Sequence, residues 1–564
     1  MCQETASQSP AETFGFGVHN LMLKVCCANF LSQEVNMKKF MCLVTLILIV
    51  AVAFTACGNN DDDTGAGNET APPSSNETTG NQTETTPSAD EEPEDDFITE
   101  DVTGVATQLI SDVLAARTPV TITYANWNIM EPQEMPMIEE FMRRYDFITV
   151  EVLPAVDPDN SHIQNLHAWS MAGMLPDVFA VSQVPEMLAT GFLRDIRPYG
   201  QQFDDWVNVP EISLRSAEWR GRIFAMPFSS HYTGFVVNDD LWDANNLPRL
   251  EIGFSLEQFL SDLRTITDIP NGIGGTTNWV EFARSWLPNY FNNNFGPHTW
   301  DGERLHLNSS EYIESINFVR TLRDESLVVQ WGWLPDDVIE VLGAGWNHSL
   351  TMEGRMAAPI EGSWWMGWFT ELYQDGLNLR YVGLPGNTVA LTPTYAGISI
   401  QSQNPAVAML FLNWMAFGEE GLTYRLDLRD NGRGNVDEDG NPITYSLGWM
   451  PATVNPTILR RFFDGEVPGI EEAMLANMHN AVIEGEAIIP GHVQALFSGN
   501  TGLTVVIDGE LRENASVSDV VWSAVQGYIN FADFADDVNE FANRQVQQMR
   551  DEINFMLDMM GFDE

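Results

Sequence analysis

The chain carries seventeen tryptophans, and two of their settings have the makings of a binding surface. One is the run Glu361-Gly362-Ser363-Trp364-Trp365-Met366-Gly367-Trp368, directly after a short apolar stretch at 356–360. The other is Trp127, just past the alternating Val120-Thr121-Ile122-Thr123-Tyr124. Sugars present flat apolar C–H faces ringed by hydroxyls. A site for them needs aromatic planes to stack on and a few convergent carboxylates, amides or guanidinium groups. Trp127 and Trp364 are the candidate planes. Trp365 is the reserve, because it faces the other way if the chain is extended there. Glu361 precedes the tryptophan pair, and Ser182 with Gln183 follows a strand-like 177–181. Trp331, Trp333, Trp346 and Trp414 read as packing residues, and Asp177 as a brace for its own loop.

Other chemistries find little support. There is no HExxH, no G-x-S-x-G and no P-loop, and the histidines are scattered. A glycoside hydrolase would also use tryptophan platforms, with two carboxylates about 5–10 Å apart. Among 80 acidic residues a pair always exists, so that signal discriminates nothing. The formal charge of −53 excludes a nucleic-acid partner, which needs basic patches. Asn435-x-Asp437-x-Asp439-Gly440 begins like a calcium loop, but its twelfth position is Ser446 and no helix pair flanks it. It reads as a hairpin turn. We expect no cofactor and no metal.

The elements that hold these residues begin late. All five cysteines lie at or before Cys57, and the last lysine is Lys39. From Met37 the chain runs Met-Lys-Lys, an apolar stretch to Phe54, then Thr55-Ala56-Cys57-Gly58. That is the n-region, h-region and small-residue cleavage site of an export signal. The apolar run is shorter than the ~20 residues a bilayer span needs. Thr55-Ala56-Cys57 resembles a bacterial lipobox, which makes Cys57 the expected lipidation site. Residues 1–36 are expected to be a mis-called extension and 37–56 the signal peptide. Residues 57–117 would be the lipidated cysteine with an acidic linker, since 58–96 lack aromatics and cannot offset the entropy of ordering.

From Thr118 onward strand and helix patterns alternate: strand 120–124, helix 134–144, strand 148–152, helix 159–171, strand 177–181, helix 184–190. That order predicts a mainly parallel α/β sheet with ligand at the carboxyl ends of its strands.

From Thr118 to Met556 several segments resemble, in order, the family 1 extracellular solute-binding proteins, the group of maltose-binding protein. They are Ala172-Gly173-Met174-Leu175-Pro176-Asp177-Val178, Leu193-Arg194-Asp195-Ile196, Ile223-Phe224-Ala225-Met226-Pro227 with Gly234-Phe235-Val236-Val237-Asn238, Met352-Glu353-Gly354-Arg355-Met356-Ala357, and Ala396-Gly397-Ile398-Ser399-Ile400. The resemblance implies an α/β, two-lobed periplasmic-binding-protein-like fold of type II, with discontinuous lobes joined by a hinge and ligand in the cleft between them. It implies residues 118–229 with 393–455 as lobe 1, and 230–392 with 456–564 as lobe 2. The C-terminal helical stretch 517–559 would pack on the outside. Trp364 corresponds to the tryptophan that stacks on sugar. His231 and Tyr232 would sit at the first crossover, and Tyr395 with Gly397 at the return crossover. The implied function is that of a monomeric, extracellular, lipid-anchored receptor passing a sugar or oligosaccharide to the permease subunits of an ABC importer. A receptor for a polyamine or an organic or phosphate ester, a ligand-presenting sensor partner, and a surface carbohydrate-active enzyme are the alternatives.

Overall fold

The computed structural model describes residues 108–126, 134–154, 162–181, 183–277, 279–330, 334, 338, 342, 347–431 and 450–562. All of them belong to one compact unit, Glu94–Glu564. Cys57, linker residues 58–107, Trp127, Trp331, Trp333, Trp346, Ser182 and the 435–445 turn lie outside the described residues. The end of the expected 57–117 linker belongs instead to the folded body: Ile110–Ala116 is a helix whose Ile110 and Val113 are buried, since this stretch, unlike 58–96, has large apolar residues to bury. Among the described residues no helix is long and apolar enough to cross a membrane.

Three strands open the fold: β1 (Val120–Ala125), β2 (Ile148–Val152) and β3 (Val178–Val181). β1 lies between the other two and pairs parallel to both. The connections are helices, α1 (Glu134–Arg144) and α2 (His162–Met171). β3 is buried on both faces, as its unbroken Val-Phe-Ala-Val run requires of a covered parallel strand. In α1 the apolar Met137, Ile138 and Phe141 share the buried stripe, while Glu140 holds Arg143 and Arg144 one turn on. α3 (Val184–Thr190) follows β3, with Pro185 in its first turn and Gly191 in the left-handed conformation at its end.

The chain then enters β4 (Met226–Asn238), thirteen residues long. Its first part pairs antiparallel with β7 (Ala390–Ile398), and β7 in turn pairs with β3. Its last part pairs instead with β5 (Ile360–Gly362) and β6 (Leu379–Gly383). The short strands β8 (Met450–Pro451) and β9 (Val482–Ile483) add to β4 and β7. The result is a nine-stranded sheet with the path β6-β4-β7-β3-β1-β2. It is mixed and not mainly parallel as the strand–helix alternation predicts. β1–β2, β1–β3 and β7–β9 pair parallel. The long strands β4 and β7 run antiparallel to each other, β4 also to β5, β6 and β8, and β7 also to β3, because the chain crosses and returns through adjacent strands. Because β4 changes partners along its length, it carries the chain from the first α/β half into the second. β7 carries it back, as the two crossover segments imply.

α4 (Ser310–Asp324), capped by the Ser309 hydroxyl, lies between β4 and β5 in the chain. α5 (Pro405–Leu412) is buried all round, and the chain continues through a π-turn at Asn413–Phe417. Trp414 lies in this turn; its indole Nε1 donates to the Met137 carbonyl at 2.9 Å, fixing it in the core. Asp177 braces β1 and the return loop by accepting from the Thr123 amide, the Thr123 hydroxyl and the Ser402 hydroxyl.

The last helix, α6 (Ala535–Met559), touches both halves. Near its start Asn539 and Asn543 accept from the amides of Leu307 and Leu305. Toward its end Asn554 accepts from the Trp219 indole, Asp558 pairs with Arg220, and Met556 closes on Gly191. The aromatic Phe562 beyond it packs edge-on against Phe224. Its contacts thus extend beyond the outside of one body.

Candidate functional site

Every residue of β4 is buried except His231. A strand that runs through the core of both halves has no reason to expose a residue unless the sheet surface opens there. His231 pairs across the ribbon with Thr392 of β7. On β7 the burial alternates, with Thr392 and Thr394 half-exposed and Leu391 and Pro393 buried. One face of this two-stranded ribbon therefore carries His231, Thr392 and Thr394.

Trp364 stands against that face. It belongs to a 3₁₀ turn, Ser363–Trp365, at the end of β5, and is 48% exposed. The His231 ring meets it edge-on, with centroids 5.3 Å apart. His231 Nδ1 lies 2.8 Å from the Ser363 hydroxyl, so the residue before the tryptophan ties the turn to the ribbon. Gly362 makes the arrangement sterically possible: a Cβ there would lie 2.3 Å from the Trp364 ring. The ring thus lies back over its own strand, one edge fixed and much of its surface in solvent. A flat apolar plane next to an imidazole, a hydroxyl and two threonines suits a polyhydroxylated ligand.

Acidic groups reach the neighbourhood from the segment after β9. Glu484 accepts from the Thr392 hydroxyl at 2.7 Å, and Glu486 accepts from the Gln183 amide at 2.8 Å. Gln183, the residue before α3, therefore sits at the carboxyl end of β3, where ligands of such sheets bind. Glu361 pairs in register with Gly234 and is half-buried.

Three of the expected contacts face the wrong way. Tyr232 is 2% exposed, wedged edge-on between Tyr381 and Phe463. Tyr395 is fully buried, its hydroxyl bonded to Ser216 and to the Ser213 carbonyl at 3.2 Å, and burial raises its pKa. Gly397 serves packing: a Cβ there would meet Leu193 at 2.2 Å. The physical reason is strand parity. Tyr232 and His231 are neighbours and must point to opposite faces, so placing one in the cleft removes the other. Trp365 is not in extended chain; the turn rotates it against Trp368, with ring centroids 6.0 Å apart. Thr392 and Glu484 are the residues that a sequence-based choice of contacts misses; His231 is named with Tyr232 at the first crossover, and of the two the structure leaves His231 on the open face. Its signal in the sequence is its type: it is the one imidazole in β4. Among the described residues no group of three or more His, Cys, Asp or Glu is arranged to hold a metal.

Residues 127–419 match the family of bacterial extracellular solute-binding proteins, just over half of the chain. The chain belongs to that family. Its fold is also that of solved two-lobed receptors. The sugar-binding protein MalE from Xanthomonas citri shares 12% identity over 78% of this chain and 99% of its own, with a TM-score of 0.57. A cyclo/maltodextrin-binding protein complexed with maltotetraose gives 14% identity, 77% and 98% coverage, and a TM-score of 0.54. The cyclic α-maltosyl-1,6-maltose binding protein from Arthrobacter globiformis gives 15%, 76% and 100%, and 0.52. At such identities the likeness speaks for architecture; function must be argued from the site. No curated protein matches the sequence.

Proposed function

We propose that this solute-binding protein is a receptor for a carbohydrate, most readily an oligosaccharide, which it delivers to an ABC importer. The observation that carries the reading is Trp364, half-exposed and held edge-on against His231, the one position of β4 that is not buried. The similar structures bound to maltotetraose and named for maltosyl sugars support the same ligand class. In this reading the sugar stacks on Trp364, with Trp127 as a second plane. Its hydroxyls reach His231, Thr392, Gln183, Ser182, Glu361 and Glu484. Closure of the two halves about β4 and β7 then covers it. The protein binds without turnover, as a monomer, and the lipid on Cys57 holds it at the outer face of the cell membrane through the acidic linker.

Thermal unfolding against a panel of neutral oligosaccharides tests the reading. A ligand at 100 times its dissociation constant adds about 2.7 kcal/mol of stability. A shift with a sugar that is lost in Trp364→Ala supports it. A shift with amines or phosphate esters and with no sugar refutes it.

A further inference from the structure

A cavity of 960 Å³ lies away from Trp364 and His231. Ser216 lines it, and Ser216 is hydrogen-bonded to the Tyr395 hydroxyl. On β7, Tyr395 and Leu391 point opposite to Thr392 and Thr394, the threonines that share the face of His231. The cavity therefore opens on the far face of the crossover ribbon. Its walls come from both halves and from α6: Trp219 on one side, Tyr290 and Trp300 on the other, Arg550 and Asn554 from the helix. Its volume is within the ~300–1,000 Å³ of small-molecule sites.

The chemistry of the lining is specific. Trp219 supplies an aromatic plane, with the buried Trp300 in the wall behind, and Asn289, Asn293 and Asn554 supply amides. The charged residues mostly cancel: Arg215 pairs with Glu211, Arg220 with Asp558, and Glu218 with Arg197. Arg550 differs. It meets the carbonyls of Gly302 and Glu303 at 3.4 and 3.3 Å and lies 5.4 Å from the Trp219 ring centroid, but among the described residues it meets no carboxylate. In a chain with 80 acidic and 27 basic residues, a guanidinium without an acidic partner in a lined cavity is a distinct feature. A guanidinium binds a carboxylate in a bidentate pair, and the aromatic plane and amides suit a sugar ring and its hydroxyls.

We propose that this cavity is a second ligand site, separate from the one at Trp364, that takes a sugar acid: a polyhydroxylated ring bearing one carboxylate. Arg550 holds the carboxylate, Trp219 stacks on the ring, and the asparagines take its hydroxyls.

The test is calorimetric titration of the mature chain with glucuronate, with glucose as the neutral control at equal ionic strength. Glucuronate is expected to bind at least tenfold more tightly than glucose. Arg550→Gln is expected to weaken glucuronate at least tenfold, whereas Trp364→Ala still binds it. Because Arg550 also ties α6 to the 302–303 carbonyls, Asn554→Ala provides a second variant, expected to weaken glucuronate in a protein whose melting temperature is checked alongside. Absence of glucuronate binding overturns the proposal. So does equal binding of glucose, or glucuronate binding that is lost in Trp364→Ala and kept in Arg550→Gln. Failure of the carbohydrate reading at Trp364 would appear separately, in the neutral oligosaccharide panel.

Discussion

His492 and His298 form a buried pair whose cost should be measurable in acid. Their ring centroids are 5.5 Å apart, and they are 6% and 2% exposed. Both ring nitrogens of His492 and Nδ1 of His298 have no hydrogen-bond partner among the described residues. Gly485 permits the crowding, since a Cβ there would lie 2.9 Å from His492 Nε2 and 3.1 Å from a His298 carbon. Burial, reinforced by Arg284, lowers the His492 pKa from 6.5 to about 4. Burial lowers that of His298 well below its usual value as well.

The folded state of His492 thus binds its proton less readily than the unfolded chain. Its contribution is complete above pH ~6.5 and is lost as pH falls toward 4, where it levels off. A shift of 2.5 units amounts to about 3 kcal/mol in all, of which about 2 kcal/mol is gone by pH 5. Glu186 works against this. Burial is the main cause that raises its carboxyl to about 7, so its folded form favours the proton. Stability from that group is full below pH ~4.5 and is lost as pH rises to 7, again about 3 kcal/mol. Glu186 opposes His492 and His298 between pH 8 and 5, so the wild-type profile alone isolates none of the three. The informative quantity is the change with pH in the difference between His492→Leu and wild type. Urea unfolding followed by tryptophan fluorescence at pH 8 and pH 5 measures it. The leucine variant should gain about 2 kcal/mol on wild type between the two values. A difference that is the same at both pH values would falsify the burial argument for this pair.

Four further outcomes follow from the geometry. Trp364→Ala should weaken oligosaccharide binding at least about tenfold, or 1.4 kcal/mol, with an unchanged urea midpoint in the absence of ligand. Gly362→Ala places a methyl 2.3 Å from the Trp364 ring and must displace it, so isothermal titration should show a loss approaching that of Trp364→Ala. Gly397→Ala collides with Leu193 and should cost about 1–3 kcal/mol in denaturant unfolding. Cys57→Ala should release the protein from the membrane fraction into the medium; retention in the membrane would remove the lipid anchor from the proposal.

Much of the architecture was legible in the residues. The alternation Val120–Ala125, Glu134–Arg144, Ile148–Val152, His162–Met171, Val178–Val181 appears with nearly the expected bounds. Periodicity reports which face of an element is apolar, and burial acts on that face directly. The packing role of Trp414 and a bracing role for Asp177 were likewise legible, but Asp177 braces β1 and the return loop through Thr123 and Ser402 and not its own loop, a partnership that only tertiary contact sets. The candidate site was legible only in part. Trp364 stands exposed, whereas Tyr232, Tyr395 and Gly397 lie in the core.

What the sequence by itself determined is the order of strands and helices in the first half and, through several short segments in order, the family; the turn that carries Trp364 and Trp365 was not among these, since extended chain is the reading there. What was determined depends on residues close together in the chain, whose geometry the backbone dictates. The tertiary structure alone decided that His231 faces Trp364, because the parity of β4 is set by its pairing with β7 some 160 residues on and not by its own composition. It alone brought Arg550, Trp219 and Trp300 around one cavity. Three residues from distant segments share no local signal, and only the packing of α6 across both halves makes them neighbours.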